Sequence, residues 1–151
     1  MSRKDDIQLR DIKSRPSERK FETMMQLMKV PFKKTGWGGE FPFGDPKFKQ
    51  LDKTLRKMPD YIAWINGKPE FFEVKCANTT FFMKKYSHDM YGKFQMWHRV
   101  FYAITYNDSF LLVDWKYMER IYRKYPIEKQ DDEVEGYIIP LKDLQQYGRI
   151  L

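Results

Sequence analysis

Asp60, Glu73 and Lys75 are the residues of this 151-residue chain whose types and spacing point most directly to chemistry. Glu73 and Lys75 stand two apart in an apolar run, Phe71-Phe72-Glu73-Val74-Lys75, that reads as a β-strand. Side chains at i and i+2 leave a strand on the same face. The carboxylate and the ammonium therefore point together, while Val74 points into the core. Asp60 opens an earlier strand, Tyr61-Ile62-Ala63-Trp64-Ile65, and Asn66-Gly67 between the two is a strong signal for a two-residue hairpin turn. That turn returns the second strand beside the first and carries Glu73 up to Asp60. Two carboxylates so placed can hold a hard divalent cation such as Mg²⁺ through oxygen. Such a cation polarises a phosphoryl oxygen and acidifies a bound water, and a neighbouring lysine can orient that water or steady developing negative charge. Phosphodiester hydrolysis needs such a set.

The spacing alone says little. An acidic residue two before a lysine also occurs at Asp11/Lys13, Glu18/Lys20, Asp45/Lys47 and Asp114/Lys116. Only Glu73/Lys75 lies in an apolar strand that follows a Pro-Asp strand start and an Asn-Gly turn. The competing reading is an exposed ion pair on a sheet edge.

The elements that must position this set follow from periodicity. Residues 1–16 are charged of both signs and form an N-terminal arm, leaving 17–151 as one domain. A helix is predicted from Ser14 or Ser17, with Pro16 in its first turn, Phe21, Met24, Met25 and Met28 on its inner face, and Pro31 as its stop. Residues 33–57 read as irregular, with Gly36-Trp37-Gly38-Gly39 near their start. After the hairpin, Met90, Phe94, Trp97, Phe101 and Ile104 fall on one predicted helical stripe. Phe110-Leu111-Leu112-Val113 reads as a buried strand and Lys116 to Lys124 as a helix. Gly136 to Pro140 reads as a strand, and Leu141 to Tyr147 as a short last helix. The order predicts an α/β domain in which a central mixed sheet carries the motif hairpin between flanking helices.

Pro59-Asp60, followed thirteen residues later by Glu73-Val74-Lys75, resembles the motif of the PD-(D/E)XK nucleases. This superfamily includes many restriction endonucleases, archaeal-type Holliday junction resolvases and phage recombination nucleases. The resemblance covers roughly residues 17–115. It implies a restriction-endonuclease-like fold in which Asp60 and Glu73 bind metal, the Val74 carbonyl completes the coordination and Lys75 assists the water. It also implies Mg²⁺ as cofactor, with Mn²⁺ able to substitute. Many members add a glutamate from the first helix. Glu18 and Glu22 compete for that place; Glu22, beside Phe21 and one turn from Met25, is the stronger candidate, and a solvated helix carboxylate is the alternative. Some members use a glutamine from the following helix, where Gln95 stands. One branch has a tyrosine four residues beyond it, but here that position is Arg99.

The composition is compatible with a nucleic-acid partner. The chain carries 28 Lys and Arg against 21 Asp and Glu, a formal charge of +7, so a polyanion is the expected ligand. The stretch from Lys29 to Lys57 is the most basic. Lys47, Lys49, Lys53, Arg56, Lys57, Lys84 and Lys85 flank the motif as candidate phosphate contacts. Trp37, between glycines, is a candidate for stacking on an unpaired base; a Trp covering the core is the alternative. Charge does not distinguish DNA from RNA.

The single cysteine, Cys76, excludes an internal disulfide framework and any multi-cysteine zinc site, and is expected to be an inert buried thiol. His88 and His98 lack zinc-ligand spacing and are expected at the surface. No apolar segment suits a signal peptide or a membrane span, so a cytoplasmic location (the host cytoplasm, if viral) is expected. These readings converge on a Mg²⁺-dependent DNA endonuclease, structure-selective in the manner of a Holliday junction resolvase and homodimeric if it cuts two strands symmetrically. The alternatives are a restriction-type or phage recombination nuclease, a non-catalytic nucleic-acid-binding protein on the same fold, and a basic interaction protein in which the motif is accidental.

Overall fold

The computed structural model describes residues 16–35, 58–130 and 133–150. A first helix, α1, spans residues 16–27. It is followed by β1 (Phe32–Lys34), β2 (Tyr61–Ile65), β3 (Lys68–Lys75), β4 (Thr80–Lys84) and α2 (Lys85–Gln95). Then come β5 (Val100–Tyr106), β6 (Ser109–Asp114), α3 (Trp115–Ile121), a 3₁₀ turn (Tyr122–Lys124) and β7 (Ile127–Lys129). The chain closes with β8 (Glu135–Pro140), α4 (Leu141–Leu144) and β9 (Gly148–Ile150).

Six strands form the central sheet in the order β1-β2-β3-β5-β6-β9. Every neighbouring pair is antiparallel except β3 and β5, which run parallel with Glu73 opposite Tyr102 and Lys75 opposite Ile104. A smaller antiparallel sheet, β4-β8-β7, stands apart from it. The result is a mixed α/β fold with a central mixed sheet between helices.

Alternation along the strands builds two cores. On one face Phe72, Val74, Phe101, Ala103, Phe110 and Leu112 pack against Phe21 and Met25 of α1, which stand four apart and so share a helix face. On the other, Phe71, Tyr102, Ile104 and Leu111 meet Tyr91 and Phe94 of α2, Met118 of α3, and Phe81 and Ile139 of the small sheet. Covered on both faces, β3 reads as a nearly continuous apolar run. The β2–β3 turn is of the expected kind: Asn66 (φ 51) and Gly67 (φ 78) both take left-handed backbone, as a type I′ hairpin requires.

Several expectations change. The stripe from Met90 to Ile104 is not one helix. α2 ends at Gln95, whose Oε1 accepts from the Val100 N–H at 2.7 Å and so links the helix to the first residue of β5. Trp97 is 67% exposed in the connecting turn. Phe101 and Ile104 are strand residues that face opposite cores. Spacings of three and four imitate a helix here, whereas Val100–Ile104 is a strand buried on both faces, its side chains entering the two cores alternately. The strands β1, β4, β5, β7 and β9 all go beyond the elements predicted, and the last helix stops at Leu144.

His88 is not a surface residue but fully buried. It lies stacked on Trp115, with Nε2 2.6 Å from Glu119 Oε2 and Nδ1 2.7 Å from the Tyr102 hydroxyl. A carboxylate only accepts, so Nε2 carries the proton and Tyr102 donates to Nδ1. Burial lowers the His88 pKa, partly offset by Glu119, so the ring serves as a neutral tie between α2, β5 and α3. Cys76 is exposed rather than buried, because β3 ends at Lys75 and the chain turns outward. No helix among the described residues is long and apolar enough to cross a membrane.

Candidate active site

The turn from Pro59 into β2 is held by Thr35, just past β1. Its N–H donates to the Asp60 carbonyl at 2.9 Å, and its hydroxyl donates to the Pro59 carbonyl. Asp60 thus sits at the mouth of β2, beside the C-terminal end of β3. The two strands lock there reciprocally. Asp60 Oδ2 accepts from the Val74 N–H at 3.0 Å, and Glu73 Oε2 accepts from the Asp60 N–H at 3.2 Å. Lys75 Nζ lies 3.1 Å from Glu73 Oε1. The structure therefore brings Asp60, Glu73 and Lys75 together, with Glu73 and Lys75 on one strand face as their spacing predicts. Val74 turns its side chain to the opposite core.

This is a costly place for charge. Glu73 is buried, at 5% exposure, beneath Tyr91 and Tyr102. Burial, then the Glu73 charge, pushes the Asp60 carboxyl well above the usual carboxylate range; Lys75 and the Val74 N–H pull the other way without prevailing. Burial opposes the Lys75 ammonium, but Glu73 and Asp60 together outweigh it and hold its pKa above the ordinary lysine value. Tyr91, from α2, directs its hydroxyl to Glu73, and burial with that carboxylate raises its pKa well above the ordinary value. The sequence offered no signal for Tyr91, because only the packing of α2 across β3 brings it there.

α1 brings a third carboxylate. Lys20 Nζ donates at 2.9 Å to both the Asn107 and Ser109 carbonyls, which ties the helix to the β5–β6 turn. On this helix Glu18 acts electrostatically on both Asp60 and Lys75. It is held at 3.0 Å by Lys34 Nζ, from β1. Both helix glutamates act on the Tyr61 hydroxyl and on Lys34, the charge of Glu18 more strongly than that of Glu22. Glu18 also acts on the Asp60–Lys75 pair.

Among the described residues, no three His, Cys, Asp or Glu side chains converge closely enough to cage a metal ion by themselves. The donor set at the strand ends is two adjacent carboxylates, Glu73 buried and Asp60 half-buried. Asp60 Oδ1 takes no hydrogen bond from a described residue, and the excess negative charge is met by one ammonium. That chemistry fits a hard cation of the Mg²⁺ kind, which binds through one or two carboxylates and keeps several waters.

The candidate nucleic-acid contacts Trp37, Lys47, Lys49, Lys53, Arg56 and Lys57 lie outside the described residues. Lys84 and Lys85 stand at the junction of β4 and α2, where Lys85 pairs with Asp89 at 3.2 Å. Gln95 is spent on the Val100 backbone, and His98 is exposed beside the Phe71 ring.

No family model matches the chain, and no curated protein does. Among solved structures, Hjc of Archaeoglobus fulgidus, a Holliday junction resolvase from an archaeal hyperthermophile, superposes with a TM-score of 0.58. The match is 12% identical in sequence and covers 89% of this chain and 93% of that one. The chain thus shares the fold of that resolvase over most of both lengths.

Proposed function

We propose that this protein is a divalent-metal-dependent nuclease acting on DNA, with its site at the joined ends of β2 and β3. The observation that carries the reading is the reciprocal Asp60–Glu73 lock with Lys75 on the outer oxygen of Glu73. Two adjacent like charges, one buried and one half-buried, are expensive to maintain, and a folding role alone gives no reason to keep them. Likeness in fold to an archaeal junction resolvase supports the same reading, and favours branched DNA as the substrate and a homodimer as the working unit.

In this reading Asp60, Glu73 and the Val74 carbonyl would hold Mg²⁺, or Mn²⁺ in its place. The cation supplies Lewis acidity toward a phosphoryl oxygen and toward water. Lys75, 3.1 Å from Glu73 Oε1, would stand beside that cation, placed to orient a water or to meet negative charge on a phosphate. Glu18, whose charge acts on Asp60 and Lys75, would join from α1 in preference to Glu22, and Tyr91 would steady Glu73 from behind.

The test is cleavage of a labelled panel in Mg²⁺: four-way junction, flap, single strand and linear duplex. Metal-dependent cutting, fastest on the four-way junction, is the expected result; binding without cutting in any divalent cation would make the protein a nucleic-acid-binding member of the fold. With the preferred substrate, Glu18→Gln is expected to slow cleavage at limiting Mg²⁺ by roughly tenfold or more, the weight of one charged contact. Glu22→Gln should stay within about twofold, since it loses no such contact. The reverse order would return the helix role to Glu22.

A further inference from the structure

On the face of the sheet opposite Glu73, beyond the cover of α1, lies a hollow of about 220 Å³. Its floor is Phe101 and Leu112, and its walls include Tyr117 and Tyr147. Two guanidinium groups share the Phe101 ring: Arg99 lies 4.8 Å and Arg149 5.8 Å from its centroid. Bringing two such charges over one ring is unfavourable unless anions answer them. Arg99 is answered. Its Nε and Nη2 donate to Asp114 Oδ2 at 3.2 and 2.8 Å, and the Glu70 carboxylate adds to the same field. The other oxygen of Asp114, Oδ1, accepts from the Lys116 N–H at 2.9 Å and caps α3. Arg149 forms no ion pair with a described residue, and neither does Arg120, which lies over the Tyr117 ring at 5.6 Å.

We propose that this hollow binds one nucleotide unit of single-stranded nucleic acid, with a phosphate on Arg149 and an unpaired base against Tyr117. The chemistry is that of a single-strand groove: a guanidinium for the backbone and aromatic faces that accept any base. The volume lies below the range usual for a cofactor pocket, and suits one base or phosphate entering from an open side. Phe101 stacks on Phe72 at 5.6 Å, and both leave the face of the sheet opposite to that of Glu73 and Lys75. The hollow is therefore a contact separate from the carboxylate site. It deepens the nuclease reading and rests on it for the choice of nucleic acid as ligand. It gives that enzyme a place to hold an unpaired segment that is not being cut.

The test is fluorescence anisotropy of a labelled oligothymidylate, in EDTA so that no cleavage occurs, across a series of salt concentrations. Arg149→Gln is expected to weaken binding roughly five- to tenfold and to lower the slope of log affinity against log salt by about 0.7. Tyr117→Ala is expected to weaken it at least about fivefold with the slope unchanged, and Tyr117→Phe to restore it. Lys129→Gln, which removes one charge from the small sheet, is the control and should lose less than about twofold. Thymidine monophosphate competing at millimolar level supports a mononucleotide seat; competition by longer strands alone supports a seat that needs the continuing backbone. Affinity and slope unchanged in Arg149→Gln, or losses no larger than those of Lys129→Gln, would overturn the assignment. Because the measurement needs no metal, it can fail while cleavage stands, and cleavage can fail while it stands.

Discussion

Changing Asp60 to asparagine is expected to abolish Mg²⁺-dependent cleavage and, in the same protein, to raise the thermal stability of the metal-free form at neutral pH. The first effect follows from removing an anionic oxygen ligand, and should be on the order of a thousandfold or more. The second follows from the electrostatics. The Asp60 pKa is raised in the fold, by burial and by Glu73. A carboxyl with a raised folded pKa favours the folded state while it is protonated. That contribution is complete below the unfolded value, near 3.9, and is lost as pH climbs from there through the raised folded value. At neutral pH the metal-free protein is therefore less favoured by this carboxyl than in acid. Asparagine keeps an oxygen for the Val74 N–H and carries no charge, so this loss disappears. Each pKa unit is worth about 1.4 kcal/mol; with some discount for the solvent that Asp60 still meets, the gain is on the order of 1 kcal/mol, or a few degrees at the midpoint. Scanning calorimetry of both proteins at pH 4 and pH 8, with and without Mg²⁺, checks it. The stability gap should narrow in acid, and Mg²⁺ should raise the midpoint of the wild type alone. A variant that still cuts, or that melts lower than the wild type when metal-free, would overturn the assignment.

Lys75→Ala should move stability in the opposite direction while also removing activity. It leaves Glu73, at 5% exposure, facing Asp60 with no ammonium at 3.1 Å. Removing one partner of a buried pair strands the other. Because the lysine side chain is about a third exposed, the cost is nearer 1–3 kcal/mol than the larger figure for a fully buried pair. Cleavage should fall by roughly a hundred- to a thousandfold, the weight of one group that meets charge in the transition state. Mg²⁺ should return part of the lost stability, since a cation at the carboxylates replaces the missing counter-charge. The double variant with Asp60→Asn should be more stable than Lys75→Ala alone, because the repulsion that Lys75 relieved is gone; simple addition would also place it above, and the coupling lies in an excess over the sum of about 0.5 kcal/mol or more. Chemical denaturation of the four proteins measures it. No excess would mean that the two residues do not share one electrostatic site.

The carboxylates and the lysine were legible in the sequence because short-range signals fix them. Asn66-Gly67 sets the turn, and strand alternation sets the face that Glu73 and Lys75 share. The helix glutamate was less legible. Glu18 and Glu22 lie on the same side of α1, and the angle at which the helix docks decides between them. That angle depends on Phe21 and Met25 against the sheet and on Lys20 against the β5–β6 turn. β5 was hidden by coincidence, since its apolar residues continue the spacing of α2. His88 was misjudged because its partners, Tyr102, Trp115 and Glu119, are distant in sequence and meet it only after α3 has packed. Glu70 gave no warning of its burial: it follows a proline in a strand whose neighbours on both faces are covered, and one of its carboxylate oxygens has no partner among the described residues.

The parallel pairing of β3 with β5 has a consequence for the order of assembly. The β2–β3 and β5–β6 hairpins are each local, closed by short turns, and can form early and separately. The seam between them requires the whole segment from Cys76 to Arg99 to be looped back before a single hydrogen bond of the pair is gained. Of the strand pairings β2–β3, β5–β6 and β3–β5, that seam carries the largest loop-closure cost. The two carboxylates meet on the first hairpin while it is still open to water, where their repulsion is weak. They become a confined pair only when β5 and α2 arrive to cover them, so the electrostatic cost of the candidate site is met as that seam closes.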